Sequence, residues 1–152
     1  MNRRKRLFHI DNGLMKYTLL IVAIIGCAWA QDTSSSVWDG VYTADQAKRG
    51  QELYAKQCAS CHGGDLTGGE SAPPLAGSGF LSNWTTLTVG DLFERTRVSM
   101  PENDPGKLPR AQIADLMAYL LSANRFPEGK SELDKQAEVL KQIRIDAEAP
   151  KK

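Results

Sequence analysis

Between His62 and Phe80 the chain is punctuated by eight glycines and prolines: Gly63, Gly64, Gly68, Gly69, Pro73, Pro74, Gly77 and Gly79. So dense a set interrupts helix and strand alike and predicts a loop over 63–79. A structureless loop of that length is uncommon in a compact domain unless it carries function. The expectation is that something other than polypeptide fills the space beneath it. The flanking sequence must then supply both the walls of that space and the anchors for its occupant.

The flanks read as helices. Thr43-Ala44-Asp45-Gln46 fits a capping box, with Thr43 at N-cap and Gln46 at N3. It opens a helix over 44–57 in which Ala47, Gly50, Leu53, Tyr54 and Gln57 share a stripe. Gly50 inside it costs about 1 kcal/mol relative to Ala, a cost that a close helix–helix contact explains. A second helix starts at Thr88 or Gly90 and runs to about Val98, with Leu92, Phe93 and Thr96 inward. Ser99-Met100-Pro101 ends it, and Pro101 biases Met100 towards an extended backbone. Pro109 suits position N1 of a third helix, 110–123, whose apolar face is Ile113, Leu116, Met117, Leu120 and Leu121, with Tyr119 alongside. Ser131-Glu132-Leu133-Asp134 predicts the cap of a fourth, weaker helix within a polar extension, 127–152. That extension reads as a surface helix with a frayed end, with packing across the domain or docking on a partner as the alternatives. There is no internal repeat and no alternating strand pattern, so the fold class is all-α.

The charge is unevenly distributed. Formal net charge is +1, yet residues 1–30 hold five basic groups against Asp11 alone, and the remainder has 14 basic and 17 acidic groups, a formal −3. The folded part is therefore mildly acidic, which argues against a nucleic-acid partner. The basic start precedes an apolar run, Tyr17 to Ala30, ending in Ala28-Trp29-Ala30. This is the pattern of a secretory signal peptide over 1–30. The run is shorter than the roughly 20 residues that cross a bilayer, although an uncleaved anchor is an alternative. Ile24-Ile25-Gly26-Cys27 also resembles a lipobox, which would tether the chain by a lipid on Cys27. Either way the expected location is the periplasm, soluble or lipid-anchored. The Ser-rich stretch 31–40 reads as a polar linker.

Export removes or caps Cys27, leaving Cys58 and Cys61. Cys58-Ala59-Ser60-Cys61-His62 is a C-x-x-C-H sequence, the attachment signature of haem c. Two thiols at this spacing add to the two porphyrin vinyl groups, and the following imidazole supplies the proximal iron ligand. A zinc site would need four ligands, and past the signal region only these two Cys and one His remain, since His9 lies in the leader. A thioredoxin-like pair should follow a strand and begin a helix, whereas this pair closes a helix. A disulfide across so short a loop constrains little of the unfolded chain. For the sixth iron position there are two methionines. Met117 sits on an apolar helix face and reads as core. Met100 sits in a loop held by Pro101 and reads as the ligand.

With these motifs, the chain resembles a bacterial class I cytochrome c over 41–126. The resemblance is carried by the capped first helix ending in C-x-x-C-H, the loop Pro73-Pro74-Leu75-Ala76-Gly77, the segment ending in Met100-Pro101, and a last helix with an aromatic. It implies three to four helices wrapped around one covalent haem c. It further implies that Pro73, with Pro74 as the alternative, accepts a hydrogen bond from His62, that Leu75 packs on the haem, and that Gly50 and Tyr54 meet Leu116, Tyr119 and Leu120. Trp84 would either reach a haem propionate or serve as core. Residues 31–152 contain no arrangement of nucleophile and base. The implied function is therefore a one-electron Fe(II)/Fe(III) carrier with His62 and Met100 as axial ligands and redox proteins as partners. One alternative is the cytochrome subunit of a periplasmic, quinoprotein-type dehydrogenase. Another is a haem sensor with an open sixth position.

Overall fold

The computed structural model describes residues 35–70 and 72–151. The expected signal peptide, Cys27 and the first part of the expected linker lie outside the described residues. Among those described, no helix is long and apolar enough to cross a membrane.

Helix α1, Ala44–Gln57, starts where predicted. Thr43 is extended (φ −104°, ψ 155°) and its side chain accepts from the Gln46 amide at 3.2 Å. The reciprocal half of the expected capping box is absent. Buried Gln46 instead pairs with the backbone of Leu133 through two bonds, Nε2 to the carbonyl at 3.1 Å and Leu133 N–H to Oε1 at 2.8 Å. A buried amide with both functions satisfied in this way anchors the distant C-terminal segment.

At Cys58 the backbone leaves helical geometry (φ −125°, ψ −35°), and a single further turn, α2, spans Ala59–His62. Helix α3, Gly77–Trp84, corrects the expectation of loop throughout 63–79. Gly77 takes φ +74° and the chain then coils, burying Phe80 completely. Its Gly-Ser-Gly start hides an apolar pattern at Phe80, Leu81 and Trp84 that only tertiary burial rewards. Helix α4, Val89–Ser99, is opened by a capping box in which Thr88 Oγ1 accepts from Asp91 N–H at 3.1 Å and Asp91 Oδ2 accepts from Thr88 N–H at 3.0 Å. Its C-cap, Met100, is extended (φ −125°, ψ 147°), as the following proline requires. Helix α5, Arg110–Ala123, is preceded by Pro109 at N-cap, one position earlier than expected.

Helices α1 and α5 cross at Gly50. A Cβ placed there would lie 1.9 Å from the Asp115 carbonyl oxygen and 2.8 Å from Tyr119 Cβ. The backbones meet where no side chain fits, which accounts for a glycine in mid-helix. Beside the crossing, Arg49 grips Asp115 with two bonds, at 3.2 and 2.9 Å, and Glu132 with a third at 2.9 Å. One turn along, the Tyr54 and Tyr119 rings pack at 5.3 Å.

The C-terminal segment departs furthest from expectation. It is no frayed surface helix. Leu133, Ala137, Leu140, Ile143 and Ile145 are all buried, and its helix is one turn only, α6, Ala137–Leu140. The predicted cap at Ser131 opens no helix; Asp134 instead accepts from Gln136 N–H at 2.7 Å. A Cβ on Gly90 would lie 2.5 Å from Lys141 N, so α4 and α6 also touch at a glycine. Beyond α6 a short strand, Ile143–Arg144 (β2), pairs in parallel with Ser35–Ser36 (β1). Residues 35–39 are thus not a flexible linker. Val37 is fully buried, the Trp38 indole donates to the Asp146 carbonyl at 2.9 Å, and its ring meets Phe126 edge-on at 5.1 Å. The alternation that marks a strand cannot show in two residues.

Candidate cofactor site

The end of α1, α2, the 72–75 loop, α3, α4 and α5 enclose a cavity of about 800 Å³. Cys58, Cys61, His62, Pro73, Leu75, Trp84 and Met100 all line it. The structure therefore brings these seven candidate haem-site residues to one space, beneath the glycine- and proline-rich loop. Its inner wall is apolar, formed by Leu92 from α4 and Leu116, Met117 and Leu120 from α5. Met117 is fully buried, as its helix face predicts, and also forms part of that wall. A cavity of this size is at the upper end for small-molecule and cofactor sites.

The His62 side is the more tightly built. His62 is buried and its Nδ1 lies 2.9 Å from the Pro73 carbonyl. A carbonyl only accepts, so Nδ1 carries a proton, and in the neutral imidazole Nε2 keeps its lone pair. Among the described residues nothing bonds Nε2. The turn that delivers Pro73 is closed by Gly68 N–H to His62 O at 2.9 Å, Gly69 N–H to Ala72 O at 2.9 Å and Leu75 N–H to Leu66 O at 2.8 Å. Gly68 has φ +79°, and a Cβ there would lie 2.7 Å from the Ala72 carbonyl oxygen. Only glycine fits.

Burial, with Cys61 adding to it, pushes the Cys58 thiol up to about 11. A thiol held neutral in this way lacks the depressed pKa of a reactive dithiol pair. Its apolar setting suits an uncharged thioether. Across the cavity Met100 is half-buried at the end of α4, with its backbone N–H bonded to the Thr96 carbonyl at 2.9 Å. Trp84 is half-buried and stacked on Phe80 at 6.4 Å, and no hydrogen-bond partner meets its indole N–H among the described residues. At the mouth stand exposed Lys56, Arg95 and Lys107 with one acid, Glu102.

One contributor was invisible in the sequence. Asn124, at the C-cap of α5, bonds both Leu75 and Gly77 of the loop. An asparagine ending a helix is an ordinary cap, and no spacing ties it to a loop 47 residues away.

Two thiols, an imidazole with a free nitrogen and a thioether around one apolar cavity define a c-type cytochrome, and the residues present fit a covalently held haem. The comparisons agree. The chain belongs to the family described as cytochrome C oxidase, cbb3-type, subunit III, whose pattern matches residues 45–120. It is similar to the cytochrome bc1 complex cytochrome c subunit of Corynebacterium diphtheriae, 32% identical over 94 residues, covering 59% of this chain and 31% of that protein. It thus spans about a third of that relative's length. Among solved structures it superposes on the sulfane dehydrogenase SoxCD of Paracoccus pantotrophus with a TM-score of 0.51 at 24% identity, covering 71% of this chain and 61% of that one. This second likeness is one of fold. The protein is a helical haem c protein with the electron-transfer role of its family.

Proposed function

We propose that Cys58 and Cys61 carry the two thioether links, that His62 Nε2 and Met100 Sδ are the axial iron ligands, and that the domain passes single electrons between partner proteins outside the cytoplasm. Cys58 and Cys61 would each hold the haem by one thioether, the thiol adding as S–H across a vinyl group. No oxidant is needed. Bound haem supplies the one-electron ferrous/ferric couple. The residues would do the rest: Pro73 orients His62, Met100 would supply a thioether that raises the potential, and the apolar wall would exclude water. Trp84 offers its N–H to a propionate, and Leu75 packs on the ring.

The observation that carries this reading is the His62–Pro73 bond, which leaves Nε2 free at a cavity shared with both cysteines and Met100. The test is an optical spectrum, oxidised and reduced, of protein made with haem-maturation machinery, beside Met100→Ala. Expected are haem that survives acid–organic extraction and a sulfur-to-iron charge-transfer band that the variant loses. Attached haem whose ligation ignores the substitution removes Met100 from the site. Absence of attached haem overturns Cys58, Cys61 and His62 together.

A second reading, a subunit of a larger oxidoreductase, draws support from the relative named for a bc1 complex. Co-purification with a larger redox protein separates it from a free carrier. Export rests on the basic and apolar leader, and mass spectrometry of the mature N-terminus distinguishes cleavage after Ala30 from lipid on Cys27.

A further inference from the structure

We propose that Asn124 is a positioning residue for the iron-ligating imidazole, acting through the Leu75–Gly77 segment on the carbonyl that orients His62. The inference rests on the ligation reading above.

The Asn124 side chain is fully engaged. Its Nδ2 donates to the Leu75 carbonyl at 3.0 Å and to the Leu120 carbonyl of its own helix at 2.8 Å, while Oδ1 accepts from Gly77 N–H at 2.9 Å. Carbonyls only accept and an amide N–H only donates, so the network allows one orientation of this amide. The bond to Leu120 locks the side chain to α5, and the other two fasten the loop to that lock. Among the described residues two side chains hydrogen-bond the backbone of 72–77, His62 at one end and Asn124 at the other.

The link between those ends is stiff. Pro73 and Pro74 have fixed φ and no N–H. Leu75 is held on both sides, by Leu66 through its N–H and by Asn124 through its carbonyl. A shift of Leu75 is therefore passed to the Pro73 carbonyl, 2.9 Å from His62 Nδ1. That bond sets the ring plane and the electron density of the imidazole. A stronger bond makes the ligand more electron-rich and favours ferric iron. A looser one favours ferrous iron. None of the three Asn124 bonds involves a titrating group, so the effect belongs to geometry.

The experiment compares wild-type holoprotein with Asn124→Asp and Leu133→Ala. Aspartate has nearly the same shape and still accepts from Gly77, but it cannot donate to Leu75 or Leu120, and its negative charge alone favours ferric iron, the opposite of the change expected from geometry. Leu133 is buried in the C-terminal segment and destabilises without touching the loop. The readouts are the midpoint potential and, by NMR of the ferrous protein, the exchange rate of the His62 Nδ1 proton. Asn124→Asp is expected to raise the ferrous-to-ferric ratio at fixed potential by about threefold to tenfold, because the imidazole's partner is loosened and not removed. Tenfold corresponds to about 59 mV for one electron. Proton exchange should quicken by at least a similar factor. Leu133→Ala should leave both unchanged. Unchanged readouts in Asn124→Asp, or equal shifts in Leu133→Ala, overturn the proposal. Asn124→Ser makes the same comparison without the added charge, and also serves should Asn124→Asp fail to accumulate. Failure of the ligation reading would already be visible in the wild-type spectrum, before any Asn124 variant is made.

Discussion

The two sides of the cavity are built differently. On the His62 side, a loop of glycines and prolines is closed by backbone bonds from Gly68, Gly69 and Leu75 and fastened to α5 by Asn124. On the Met100 side, residues 102–107 are exposed, and the bonds within that stretch are Asp104 N–H to Pro101 O at 2.9 Å and a Lys107–Asp104 ion pair at 4.0 Å. An exposed ion pair of that kind contributes little. One side is a fixed mount that shares its helix turn with the cysteines. The other is a cover whose contribution is a single thioether. On the proposed ligation, the mount would keep the haem in place and the cover would tune it.

The strongest way to break this comparison is to remove the occupant. The walls of an 800 Å³ cavity have no partner atoms without it. A domain of this size builds only a thin core of its own. Protein made as Cys58→Ser/Cys61→Ser, without haem, is expected to lose its cooperative unfolding transition by circular dichroism. A sharp transition near that of the holoprotein would show that the mount stands alone.

Met100→Ala tests the cover by itself. Haem should remain attached, and the ferrous form should bind carbon monoxide rapidly where the native protein does not. The potential should fall, because a thioether opposite His raises it. Loss of haem from this variant would mean that the two sides are not separable in the way proposed.

The mount was the more legible side. C-x-x-C-H fixes the cysteines and His62 by spacing alone, and Gly50 in a helical stripe pointed to the crossing with α5. Local signals also placed α1, α4 and α5, since each has a cap and a periodic face. What the sequence concealed depends on distant partners. Helix α3 begins Gly-Ser-Gly and is stabilised by burying Phe80. The C-terminal segment is charged along its length, and its Leu133, Leu140, Ile143 and Ile145 follow no single period because strap, turn and strand succeed one another. Gln46 looked like half of a capping box until Leu133 claimed its amide. Asn124 had no signal at all.

Gly50→Ala probes the scaffold under the mount. The added methyl meets the Asp115 carbonyl at 1.9 Å, and backbone cannot move aside as a flexible side chain can. A loss of about 3 kcal/mol is expected in denaturant unfolding of the holoprotein, at the upper end for overpacking. If the crossing orients Tyr54 and the end of α1, the haem environment should also become heterogeneous in its optical spectrum. A loss below about 0.5 kcal/mol would mean that α1 and α5 approach less closely than the structure shows.

The smallest expected effect concerns the mouth, where the two sides meet solvent. Residues 31–152 are formally −3, yet Lys56, Arg95 and Lys107 outnumber Glu102 there. Net charge alone makes reaction with an anionic oxidant speed up as salt screens repulsion. Charge at the point of transfer makes it slow down, because local potentials steer encounter. Ferricyanide oxidation of the reduced holoprotein is expected to slow as ionic strength rises. Lys56→Glu/Arg95→Glu should cut the low-salt rate a few-fold and reverse the slope. At about 1 M salt the Debye length is about 3 Å and the two proteins should converge. A rate that rises with salt in the native protein would place the point of electron transfer away from this mouth.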